Sequence, residues 1–146
     1  MGSDPIKKEE EKFKVELSDD IDVSCSLMIY GKEIELTEFI KLQQYGKLKL
    51  TKSGVGRNLT DNDVLSFRYT ISGCMEEEMC KFIDIVKYLD FEKYKKKGYE
   101  IYIRIFVQSV MAQMYFELSH SVIEKLNELN LDVAFSVFSW GGVDDH

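Results

Sequence analysis

The 146 residues, 45% apolar and 31% charged, are enough to bury one core and too few for two ordinary domains. A formal charge of −7 disfavours a phosphate backbone as partner and favours a protein with a basic surface. No apolar run approaches the roughly 18 to 20 residues that span a bilayer. Three cysteines without an apolar leader fit a reducing compartment, so a cytoplasmic location off the membrane is expected.

Residues 1–15 open on Met1-Gly-Ser-Asp-Pro5 and continue rich in Lys and Glu, which reads as a flexible arm or a vector scar. Residues 16–142 read as a single domain and 143–146 as an acidic tail. Val23 to Tyr30 is β-branched and apolar and ends at Gly31, a first strand with its turn. Leu36, Phe39, Ile40 and Gln43 recur at helical spacing behind Thr37 and stop at Gly46, predicting a short helix. Leu48 and Leu50 alternate with polar neighbours as in a strand, and Gly54, Gly56, Asn58, Asp61 and Asn62 mark a loop.

Val64 to Ile71 favours a strand before Ser72-Gly73. Met75, Met79, Phe82, Ile83, Val86 and Leu89 form one face of a long amphipathic helix. It opens on Glu76, Glu77 and Glu78 and closes on Lys95, Lys96 and Lys97 before Gly98, complementing the helix dipole at both ends. Tyr99 to Val107 and Met114 to Leu118 read as a hairpin. Ser119 or Ser121 can cap the next helix, Ser121-Val-Ile-Glu124 having capping-box spacing, with Val122, Ile123, Leu126 and Leu129 on its buried face. Val133 to Trp140 is a final strand closed by Gly141-Gly142. The expected fold is α+β: a two-layer sandwich with about six strands in a mixed or largely antiparallel sheet and about three helices on one face.

Ile29-Tyr-Gly31 with an acidic helix start, the Lys and Gly loop near Lys52 to Gly54, and a strand before the long helix make one set of features. Phe116-Glu-Leu-Ser119 leading into Leu126-Asn-Glu-Leu-Asn-Leu131 makes another. On these, residues 23–140 resemble the family of small bacterial domains of unknown function numbered four-two-seven-nine. The chain departs from that family's pattern where Thr51-Lys-Ser53 lacks a Pro and Phe67 stands near a Trp position. The resemblance implies an α+β fold and brings no catalytic residues.

No linear signature of catalysis is present. His120 with Glu124 has the helical spacing of a metal pair, but one His and one Glu are better read as a solvated helix start. Cys74 and Cys80 stand off the redox and zinc spacings. Gly54-Val-Gly56-Arg57-Asn58 lacks the Lys-Ser/Thr of a P-loop. Lys93, Lys95, Lys96 and Lys97 with Tyr94 and Tyr99 offer an RNA-stacking composition, for which a helix C-terminus is the better account. Glu33, Glu35 and Asp63 could still converge in a fold without a linear motif.

The chain therefore reads as a non-catalytic protein-binding module, an immunity or inhibitor protein that neutralises a toxin or enzyme through an acidic surface. It would be a monomer or homodimer needing no cofactor, metal, nucleic acid or membrane. Asp61, Asp63, Glu76, Glu77, Glu78, Asp144 and Asp145 are the candidate partner-binding residues. The alternative is a sensor of a small molecule or peptide, with Tyr30, Tyr69, Tyr102 and Trp140 as aromatic walls.

Overall fold

The computed structural model describes residues 21–52, 62–110 and 115–139. The predicted arm and tail, the loop residues 53–61, and Met114, Trp140, Gly141 and Gly142 lie outside them. The strands are β1 (Ile21–Gly31), β2 (Lys47–Lys52), β3 (Asp63–Ile71), β4 (Glu100–Ser109) and β5 (Asp132–Ser139). The α-helices are α1 (Met75–Val86), α2 (Phe91–Lys96) and α3 (His120–Glu128), with a 3-10 helix at Ile40–Gln44.

One mixed sheet runs in the order β2-β3-β1-β4-β5. The first three pairings in that order are antiparallel, and β5 lies parallel to β4 after the α3 crossover. The two-residue alternation of a strand decides which side chains meet the helices. Cys25, Leu27 and Ile29 of β1, Leu65 and Phe67 of β3, and Ile103, Ile105 and Val107 of β4 all point to the helix side and are buried. There they meet Met79, Phe82, Ile83 and Val86 of α1 and Val122 and Leu126 of α3. Phe67 and Phe82 stack with ring centroids 6.3 Å apart.

The α+β fold is as expected, but among the described residues the sheet has five strands and not the expected six. Tyr115 to Ser119 carries no strand, so the expected hairpin does not form there. Phe116 and Leu118 pack on the core and Ser119 accepts the Val122 amide at 3.3 Å as the cap of α3. The apolar character of that stretch is spent on docking the helix entry. The long predicted helix is two: it stops at Val86, and Asp90 caps α2 by accepting the Lys93 amide at 3.2 Å. Gly98 closes α2 at φ 86°, its N–H bonding Lys95 and the N–H of Tyr99 bonding Tyr94, the paired bonds of a Schellman stop. The basic run thus ends α2, and α1 has no basic residue in its last turn. The predicted helix around Phe39 is the single 3-10 segment at Ile40–Gln44, which buries Leu42. On α3, Val122, Leu126 and Leu129 are buried while Ile123, one residue off that stripe, is exposed.

Candidate functional site

The opposite face of the sheet meets no helix among the described residues. It carries the even-numbered side chains: Ser24, Ser26, Met28 and Tyr30 of β1, Ser66 and Arg68 of β3, Tyr102, Arg104 and Phe106 of β4, and Ser136 and Phe138 of β5. Register aligns Lys47 with Arg68, Arg68 with Ser26, and Ser26 with Arg104, so three cations stand in one row crossing four strands. At ~4.8 Å per strand the row is about 14 Å long. Lys49 lies on the same side of β2, opposite Ser66.

The middle of this row is a cleft of about 200 Å³ lined by Ser24, Ser26, Arg68, Arg104 and Phe106. The two serines are small enough to let the floor sink between the arginines, and Ser24 is buried. Arg104 is held from two sides: its Nε donates to Ser136 Oγ at 3.1 Å, and its guanidinium lies 5.9 Å from the Phe106 ring centroid. Phe106 in turn packs on Phe138 at 5.5 Å. Arg68 is exposed and has no hydrogen-bond or ion-pair partner among the described residues.

Beside the cleft, Tyr30 and Tyr102 stack at 5.9 Å with hydroxyls 3.3 Å apart. Burial first, and the bond to Tyr30 second, push Tyr102 up to about 12, so it keeps its proton at neutral pH. Two of the four predicted aromatic walls thus share a face. Tyr69 is on the helix side, donating to Glu78 at 2.6 Å, and Trp140 is outside the described residues.

Ion pairing separates the two layers. Among the described residues the pairs are Lys81–Glu78, Lys87–Asp84, Lys93–Glu38, Lys95–Glu92 and His120–Glu124, all on helices or the turns beside them. None reaches Lys47, Lys49, Arg68 or Arg104. Both arginines of the described residues stand in a row without a carboxylate, in a chain of net charge −7.

The described acidic candidates, Asp63 and Glu76 to Glu78, are not gathered. Asp63 begins β3, where it accepts the Ile34 amide at 3.3 Å and ties down the turn bearing Glu33 and Glu35. Glu76, Glu77 and Glu78 follow the other end of β3, roughly 26 Å away along the strand. Glu78 is engaged by Tyr69 and Lys81. Asp61, Asp144 and Asp145 lie outside the described residues. His120 and Glu124 meet at 3.0 Å with both side chains largely exposed, and no described group of three or more His, Cys, Asp or Glu could hold a metal ion. Cys25, buried and pushed up to about 12 by desolvation, donates to Met79 Sδ at 3.0 Å, while Cys74 and Cys80 are half-buried free thiols. Tyr94 is buried against Phe39 and Tyr99 and bonded to Glu38, so the Lys93–Lys97 run presents no open pair of rings.

A groove of about 460 Å³ lies between the ends of α1 and α3, bordered by Lys87, Asp90, Glu92, Lys125 and Glu128. Its charges are of mixed sign, and Lys87 and Glu92 are already paired. No described helix is long and apolar enough to cross a membrane. No family model, curated protein or solved structure matches the chain, and these comparisons add nothing to the resemblance drawn from the sequence.

Proposed function

We propose that this chain is a non-catalytic protein-binding module of the cytoplasm that docks an acidic segment of its partner on the open face of its sheet. The observation that carries this reading is the row Lys47–Arg68–Ser26–Arg104, whose cations have no carboxylate partner among the described residues. An arginine pair flanking a small polar residue suits the planar fork of a carboxylate, and charge-assisted contacts of this kind are among the stronger hydrogen bonds. The cleft, at about 200 Å³, is smaller than the ~300 to 1,000 Å³ of small-molecule pockets, which favours one side chain of a larger partner over a free ligand.

A protein segment fits better than a nucleic acid strand. Asp22 and Glu100 at the ends of the central strands and Asp132 at the start of β5 bound the row, so the positive field is short. Tyr30 and Tyr102 already cover one another, and Arg104 covers Phe106, leaving little ring surface for bases. An inhibitor or immunity protein belongs to this class of module. Its contact then lies on the sheet and not on the dispersed acids.

The test is an amide-shift titration of the ¹⁵N-labelled chain with a Glu-rich peptide and, in parallel, a single-stranded oligonucleotide. Peptide shifts centred on Ser24, Ser26, Arg68 and Arg104, weakening with salt and lost in Arg68→Glu/Arg104→Glu, support the reading. Binding of the oligonucleotide alone would replace the protein partner by a nucleic acid. No response to either probe removes the open face as the site.

A further inference from the structure

The two edges of the sheet differ. The outer edge of β2 carries the exposed Lys47 and Lys49, and lysines on an edge strand discourage another strand from adding there. The edge strand β5 carries one charge, Asp132 at its start, followed by Val133-Ala-Phe-Ser-Val-Phe138. Among the described residues no strand pairs with its outer side. Phe135 is 50%, Val137 53% and Phe138 48% exposed, so both faces of this edge present apolar surface. A long, uncharged, apolar edge is a template for strand addition.

We propose that β5 pairs antiparallel with β5 of a second copy of this chain, about a two-fold axis through Phe135. The strand is self-complementary about that residue. An isologous contact needs a surface that matches itself after a half-turn, and Val133-Ala-Phe135-Ser-Val137 reads alike in both directions in size, Ala134 and Ser136 differing by one hydroxyl. With the axis normal to the sheet, helix-side residues meet helix-side residues: Phe135 faces its own counterpart, and Val133 of each copy faces Val137 of the other. On the open face Ala134 faces Ser136, and Asp132 faces Phe138. No two like charges are opposed, and each apolar pair contributes ~0.2 to 1 kcal/mol. The same operation at β2 about Lys49 would set that lysine against its own counterpart, a like-charge pair. The product is one ten-stranded sheet with all helices on one side, a contact that needs nothing from the basic row.

The experiment is light scattering behind size exclusion on the full chain, from about 1 to about 200 µM, where mass action exposes a weak dimer. The expected result is a mass that rises toward the dimer with concentration. Val137→Lys and Phe135→Lys raise the dissociation constant at least about tenfold, while Leu50→Lys on the β2 edge leaves it unchanged. Geometry is read separately in a Cys74→Ser/Cys80→Ser background. Cα atoms of directly opposed antiparallel residues are ~4.5 to 5.5 Å apart, within disulfide reach. Phe135→Cys therefore cross-links two chains under mild oxidation and Val137→Cys does not. A monomer across the whole range, a dimer indifferent to both lysines, or equal cross-linking at 135 and 137 would each overturn the proposal.

Discussion

At Tyr69 a single hydroxyl joins the sheet to α1. It donates to Glu78 from two residues beyond the buried Phe67, and burial first, with Glu78 second, pushes its pKa up to about 12. Cys25 below it and Tyr102 on the other face are pushed up likewise. Each group holds its proton more tightly folded than unfolded. Their stabilisation is complete below pH about 9 to 10, the ordinary range of thiol and phenol, and is lost as pH rises toward about 12. Urea midpoints should accordingly fall between pH 8.5 and 11, and Tyr69→Phe should flatten part of that fall while lowering the midpoint at neutral pH. Gly46 sets a different constraint: a Cβ there would lie 2.3 Å from the Arg68 carbonyl oxygen, backbone that cannot swing aside. Gly46→Ala should cost on the order of 1 to 3 kcal/mol by denaturant titration, and it should shift the amides of Lys47 and Arg68 first.

Helix ends decide the elements. The apolar stripe from Met75 to Leu89 was legible because one helical face repeats through it, and its five residues within α1 are buried. The stop at Val86 was not, since Asp90 is as ordinary on a helix surface as at a cap, and only the placement of Phe91 and Tyr94 in the core selects the second role. Similarly, Ser121 has better capping-box spacing than Ser119, yet Ser119 is the cap because Val122 must reach the core. Asp90→Ala and Ser119→Ala should each destabilise by about 0.5 to 2 kcal/mol in urea denaturation. Circular dichroism should show the helix signal weakened more by the second, since α3 is the longer of the two. The strands were legible from β-branched, aromatic and apolar composition, with alternation at Leu48 and Leu50, apart from the apolar stretch Tyr115 to Leu118, whose composition suits a strand and whose packing serves α3.

Across the whole molecule, one core joins every strand to the helix layer. Phe82→Ala, which empties the centre of that core beside Phe67, should cost about 3 to 5 kcal/mol and leave a single unfolding transition at lower denaturant. The candidate site was hidden for a reason of scale. That Ser24, Ser26, Arg68 and Arg104 occupy the non-core parity of their strands can be read locally. That Arg68 and Arg104 flank one serine depends on β1 lying between β3 and β4, a long-range pairing that no spacing along the chain encodes. The acids Asp63 and Glu76 to Glu78, by contrast, are conspicuous in sequence and lie at opposite ends of β3.

The central place of β1 also orders events on the ribosome. A nascent chain emerges N-terminus first and its domain folds as a unit. Of the strands, β1 is made first, yet it needs β3 on one side and β4 on the other. A hairpin-like half of β1, β2 and β3 can assemble early, with the row Val23 to Ile29 still open along one edge. That edge closes only when translation has passed Ser109 and β4 has cleared the exit tunnel. Until then the future centre of the sheet is its exposed margin, and a pause in synthesis between Ile71 and Glu100 holds the chain in its most adhesive form.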